Sequence, residues 1–199
     1  MYPFVETICI KDGIPQHLAY HQYRMEHTRQ CFFQGIGFLD LAAYISASIP
    51  VSCPGRWKCR VVYGETFQEV TYSPYLLRPV CSLRLVTDNR IDYGYKSSDR
   101  RGLEQAFSQR GTADDVLIVK HGLLTDTSIG NVALWDGAHW YTPDRPLLAG
   151  TKRQWLIDNG VIREKSIRAA DLLQFSHIVV FNALIDWKEV VVEVKNIFE

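Results

Sequence analysis

One lysine, Lys96, stands in the stretch Tyr93-Gly94-Tyr95-Lys96-Ser97-Ser98-Asp99-Arg100. A lysine acts as a nucleophile or proton carrier only while part of its population is neutral. Burial or nearby positive charge favours that form, and Arg100 follows one helical turn on. A second stretch, Gly122-Leu123-Leu124-Thr125-Asp126-Thr127-Ser128-Ile129-Gly130-Asn131, combines a turn, an acid, hydroxyl residues and an asparagine. Asp126 there could face a heterocyclic ring nitrogen, which needs a carboxylate partner to draw electrons. A third, Leu147-Leu148-Ala149-Gly150-Thr151-Lys152-Arg153, reads as a glycine turn opening a helix. Such a start points N–H groups and the positive dipole end at an anion, and Thr151 and Lys152 add a hydroxyl and a charge. Arg24, in His21-Gln22-Tyr23-Arg24, could grip a phosphate with both arms of its guanidinium. Each residue has an ordinary alternative: a surface lysine, a capping aspartate, a plain helix start, a solvated arginine.

Elements able to position these residues follow from periodicity. Residues 4–10 are a short apolar stretch with Thr and β-branched residues, read as a strand and ended by Lys11-Asp12-Gly13, whose Asp-Gly is a hairpin signal. Leu18, His21, Met25, Thr28 and Phe32 recur at helical steps, predicting a helix over 17–33, and a second helix covers 39–49. Strands are expected at 57–63, 67–73 and 81–87, forming a small antiparallel sheet with both helices on one face. A linker covers 89–95. The second half predicts a helix at 100–110, strands at 115–119, 123–126, 131–135 and 139–142, and a helix at 151–159 closed by Gly160. A strand at 161–167, a short helix at 169–175 and strands at 177–185 and 189–194 complete it. The expected organisation is α+β: a small N-terminal domain over 1–88, the linker, and a larger domain over 96–199.

The 199 residues suffice for a real core, and 47% hydrophobic with 22% charged residues is ordinary for a soluble globular protein. Twenty-two basic residues balance 22 acidic ones, which argues against a nucleic-acid surface. Five cysteines without a CxxC pair suit reduced thiols in a cytoplasmic protein. Residues 1–20 lack a signal-peptide pattern, and no apolar run is long enough to span a bilayer. His17 and His21 have the i, i+4 spacing of zinc ligands but no third ligand, so no metal site is expected.

Taken in order, the motifs resemble the fold-type IV pyridoxal-phosphate (PLP) enzymes, the class IV aminotransferase group. They are His21…Arg24, Lys96…Asp99-Arg100, Gly122…Asp126…Asn131, Thr142-Pro143 and Leu148…Gly150…Arg153. Within that group Phe181-Asn182-Ala183-Leu184 is similar to a segment of the 4-amino-4-deoxychorismate lyases, where many aminotransferases carry Gly-Thr. The resemblance implies a two-domain fold like that of D-amino-acid aminotransferases, with PLP in the interdomain cleft, and a homodimer. It implies that Lys96 holds the cofactor as a Schiff base and then moves protons, and that Asp126 pairs with the pyridine nitrogen. The group's usual residue there is glutamate, one methylene longer. Arg24, Asn131, Gly150, Thr151, Lys152, Asn182 and Ala183 are the other implied cofactor contacts, most of them toward the phosphate, with Leu148 packing on the ring. The implied substrate is a small, amino-acid-like carboxylate. Release of pyruvate and 4-aminobenzoate is the implied reaction; amino transfer from D- or branched-chain amino acids, or ligand binding without catalysis, are the alternatives. The group also carries residues ahead of the strand at Phe4-Val5-Glu6-Thr7, so a shortened first domain is expected.

Overall fold

The computed structural model describes residues 3–50 and 53–199. By internal contacts the chain divides into two compact units, Met1–Leu77 with Tyr95–Asp99, and Arg78–Gly94 with Arg100–Glu199. The family-like α+β mixture expected from the pattern is present in both.

The first unit is built on one antiparallel sheet. Its strands are β1 (Phe4–Lys11), β2 (Ile14–Pro15), β3 (Arg56–Tyr63) and β4 (Phe67–Pro74), in the order β2-β1-β3-β4. Pairing of β1 with β3 runs from Phe4↔Tyr63 to Lys11↔Arg56 without a slip. Helices α1 (Leu18–Phe32) and α2 (Leu41–Ser46) supply Met25, Leu41 and Ile45 to the core shared with Phe4, Ile8, Ile10, Cys59, Val61 and Tyr63. Asp40 caps α2 by accepting from the Ala43 N–H at 2.9 Å. Side chains alternate along a strand, so Glu6 falls on the same face of β1 as Phe4, Ile8 and Ile10. A carboxylate is thereby placed inside the core, fully buried.

The second unit holds two sheets. One has the order β13-β5-β6-β7, from Ile197–Phe198, Leu83–Thr87, Asp115–Lys120 and Leu123–Thr127. Here the structure corrects the sequence reading: Leu83–Thr87 is not a third strand of the first sheet but pairs in parallel with β6, from Leu83↔Asp115 to Thr87↔Val119. Parallel neighbours need a long crossover, and the segment carrying α3 (Arg101–Ser108) provides it. The other sheet has the order β10-β9-β8-β11-β12, from Arg163–Lys165, Trp140–Pro143, Asn131–Trp135, His177–Phe181 and Val190–Glu193. Helix α4 (Thr151–Asp158) packs Leu156 against Ala133, Val179 and Phe181. The strand expected at 161–167 shrinks to β10. The helix expected at 169–175 is a 3-10 segment, Ala169–Gln174. The strand expected at 177–185 stops at Phe181, because the Asn182 carboxamide oxygen accepts from the Leu184 and Ile185 N–H groups and turns the chain.

Candidate functional site

In the first unit the chain around Lys96 lies alongside the start of β1. Val5 N–H donates to Lys96 O at 2.9 Å, Ser98 N–H donates to Pro3 O at 2.8 Å, and Phe4 bridges Ser97. Tyr95 anchors the segment by meeting Phe32 edge to face with ring centroids 4.7 Å apart. Aromatic packing on one side and backbone bonds on the other thus fix the Lys96 backbone.

Beneath α1 lies a charged cluster. The Arg24 guanidinium donates through Nε to Glu6 Oε1 at 2.9 Å and through Nη2 to Oε2 at 2.6 Å. His21 Nδ1 lies 2.6 Å from the same Oε2. Burial works to raise the Glu6 pKa, but the Arg24 charge and the His21 bond outweigh it and hold the carboxyl at about 2. Burial pushes His21 down, with Arg24 and Lys96 acting the same way against the pull of Glu6. An ionised Glu6 only accepts, so a neutral His21 must carry its proton on Nδ1.

In the second unit the acid stretch forms β7 and the turn into β8. The β6–β7 ladder slips: Leu117 faces Thr127 and Val119 faces Leu124, leaving Thr125 and Asp126 both opposite Ile118. A bulge of this kind re-aims a side chain. Thr125 Oγ1 donates to Ile118 O at 2.8 Å, and Asp126, 4% exposed, turns toward Leu148. Its Oδ1 accepts from Asn131 Nδ2 at 2.8 Å and its Oδ2 accepts from Leu148 N–H at 2.9 Å. Burial pushes its pKa up to about 6, against the opposing Leu148 and Asn131 bonds and the Arg153 charge. Asn131 Nδ2 also donates to Leu148 O at 2.8 Å.

Gly150 precedes α4 without a side-chain cap. A Cβ there would overlap Asn131 Oδ1, so any side chain at this position would push the Asn131 carboxamide aside. Thr151, Lys152 and Arg153 of the first turn are all buried. Lys152 Nζ meets Asp186 at 2.6 Å and lies 4.7 Å above the Trp155 ring. Arg153 Nη2 donates to Pro143 O at 2.8 Å and to Glu164 at 2.6 Å, fixing the helix to the end of β9. Asn182 Nδ2 donates to Ile129 O at 2.9 Å, tying its turn to the one between β7 and β8. Gly130 passes so close to Phe181 that a Cβ would lie 2.6 Å from its carbonyl oxygen.

Asp126, Asn131, Leu148 and Gly150 therefore touch one another, and Thr151 and Lys152 continue directly from Gly150. Asn182 joins them through Ile129, with Ala183 next in its turn. Arg24 and Lys96 belong to the first unit. Sequence reasoning missed Glu6, the partner of both His21 and Arg24. One signal could have found it: a lone carboxylate at an inward position of an alternating apolar strand. Among the described residues no group of three or more His, Cys, Asp or Glu side chains is disposed to hold a metal, and no helix is long and apolar enough to cross a membrane.

Comparison with known proteins gives these arrangements a lineage. The model of the family Amino-transferase class IV matches residues 4–192, and the chain belongs to that family. Its members and its fold type are those of PLP-dependent enzymes. An uncharacterized Haemophilus influenzae protein is 34% identical over 186 residues, covering 92% of this chain and 98% of its own. A crystal structure from Haemophilus somnus, provisionally named 4-amino-4-deoxychorismate lyase, is 31% identical with a TM-score of 0.89 and covers 94% of this chain and 98% of that one. A hypothetical aminotransferase from Mycobacterium tuberculosis, in its PLP-bound form, shares the fold at 18% identity and a TM-score of 0.76, covering 98% of this chain and 81% of that one.

Proposed function

We propose that this protein is a PLP-dependent 4-amino-4-deoxychorismate lyase, releasing pyruvate and 4-aminobenzoate. The observation that carries the cofactor is the joined set of Asp126, Asn131, Leu148 and the uncapped start of α4 at Gly150. It offers PLP a buried acid for its ring nitrogen and a helix N-terminus for its phosphate. In this reading the residues fit the group. Lys96 would hold it through Nζ, Thr151, Lys152 and the Asn182-Ala183 turn would hold the phosphate, and Leu148 would pack on the ring; Arg24 spends Nε and Nη2 on Glu6 and is not counted among the phosphate contacts. When bound, PLP supplies the electron sink that the carboxylate-bearing substrate needs. Lys96 Nζ would take and return a proton at the substrate, and loss of pyruvate would leave an aromatic ring. Asn182-Ala183-Leu184 favours this reaction over amino transfer, and the provisional name of the Haemophilus somnus protein points the same way. The reading extends to a homodimer in the cytoplasm, checked by sedimentation and fractionation.

The tests separate its layers. Purified protein should be yellow or become so with added PLP, and Lys96→Ala should lose the visible band. A colourless wild type that cannot be reconstituted overturns the PLP reading. Appearance of 4-aminobenzoate from aminodeoxychorismate, with no 2-oxo acid consumed, supports the lyase. Transfer of the amino group from D- or branched-chain amino acids to 2-oxoglutarate supports the aminotransferase instead.

A further inference from the structure

We propose that Asn131 is a positioning residue whose carboxamide locks the acid of β7 to the start of α4, making them one piece. The bonds close a ring. Asp126 Oδ2 accepts from Leu148 N–H, Leu148 O accepts from Asn131 Nδ2, and the same Nδ2 donates to Asp126 Oδ1, at 2.9, 2.8 and 2.8 Å. Both N–H bonds of the amide are thus spent on protein acceptors, and both backbone groups of Leu148 are held by one acid–amide pair. One partner of Nδ2 is the Leu148 carbonyl, which cannot donate in any state, so the amide orientation is determined by chemistry. Its other end, Oδ1, fills the space where a Gly150 Cβ would stand.

Only asparagine satisfies all three neighbours. Aspartate has no donor and would set negative charge against Asp126 and the Leu148 carbonyl. Alanine takes one donor from the buried Asp126 carboxyl and one from the half-buried Leu148 carbonyl. Glutamine adds a methylene where Gly150 already closes the space. The turn between Asp126 and Asn131 is itself braced, since Thr127 Oγ1 accepts from Gly130 N–H at 3.1 Å and Thr127 N–H donates to Gly130 O at 2.9 Å. Asn131 therefore acts through Asp126 and α4 rather than on a ligand. Its consequence for PLP rests on the function proposed above; the lock itself does not.

The experiment compares wild type with Asn131→Ala and Gly150→Ala. Gly150 has φ −70°, which any residue adopts, so its variant adds no backbone strain and acts on the Asn131 carboxamide; because Gly150 also borders the proposed phosphate site, hydrogen exchange is its deciding readout. Two readouts are taken: native-state hydrogen exchange of the protein before PLP is added, and PLP titration followed by tryptophan fluorescence. Losing one buried hydrogen bond corresponds to roughly a tenfold change. Both variants should exchange the Leu148 amide about tenfold faster than any change in global stability explains, and both should bind PLP about tenfold more weakly. Exchange that rises evenly across the second unit would make Asn131 an ordinary core residue and overturn the proposal. So would PLP affinity left unchanged in a variant whose Leu148 amide has been released. If Asn131→Ala does not fold, Gly150→Ala decides. If wild type binds no PLP, the function reading falls, while the exchange result still decides the lock.

Discussion

Glu6 and Asp126 are both buried carboxyls with two or more donors, yet their acidities move in opposite directions. Burial raises each one. Glu6 faces a full positive charge on Arg24, delivered through two bonds, and ends at about 2. Asp126 is bonded by the backbone N–H groups of Leu148 and Leu147 and by a neutral amide, with Arg153 acting at longer range, and ends at about 6. Hydrogen bonds of similar length thus leave one acid ionised and the other poised near neutrality. What separates them is the charge of the donor, because a neutral donor stabilises a carboxylate far less than a guanidinium does. The first unit holds a settled ion pair; the second holds an acid that can change state.

The contrast can be broken most forcefully at Glu6. Glu6→Gln removes the anion while Arg24 and His21 stay in place, and stranding a buried charge costs about 3–5 kcal/mol. Urea unfolding should show a loss of that order; a loss below about 1 kcal/mol would mean that Arg24 escapes to solvent and that the pair is not structural.

The next largest effect is in pH dependence, where the two acids have opposite signs. Glu6 lies below its ordinary value of 4.5, so its contribution is present above that value and is lost as pH falls toward about 2. Asp126 lies above its ordinary 3.8, so the folded protein binds the extra proton between the two values. Stability therefore declines as pH rises from about 4 to about 6, by up to roughly 3 kcal/mol from this residue. The wild-type profile minus that of Asp126→Asn should contain this declining limb. A difference that is flat over the same window would place the Asp126 proton elsewhere. The Glu6→Gln profile should instead lose the acid limb and keep the other.

A smaller effect is expected at the turn that neither acid touches. Asn182→Ala removes the bond to Ile129 O and two acceptor bonds from Leu184 and Ile185 N–H groups. The loss should be about 1–2 kcal/mol, with no change in the Asp126 limb. A shift of that limb would show that the Asn182 turn, and not the Asn131 amide alone, sets the surroundings of the acid.

Local pattern carried much of this molecule. Alternation and helical spacing are statements about a few neighbouring residues, so β1, α1, the β7–β8 turn and α4 were legible, and so was the run of family motifs through Lys96, Asp126, Asn131 and Gly150. The pairing of Leu83–Thr87 was not, because an apolar β-branched strand fits either sheet until its crossover is packed. Nor was the end of β11 at Phe181, decided by an asparagine turning back on its own backbone. The sequence by itself determined that an acid, an amide and a glycine recur at family spacing. Only the tertiary structure decided that the Asn131 carboxamide spends both its N–H bonds on Asp126 and Leu148, and that Glu6 lies under Arg24. All but the Asp126–Asn131 bond join residues 15 or more positions apart, and that bond depends on the bulge that re-aims Asp126, so burial and partner charge depend on which surfaces meet rather than on which residues follow one another.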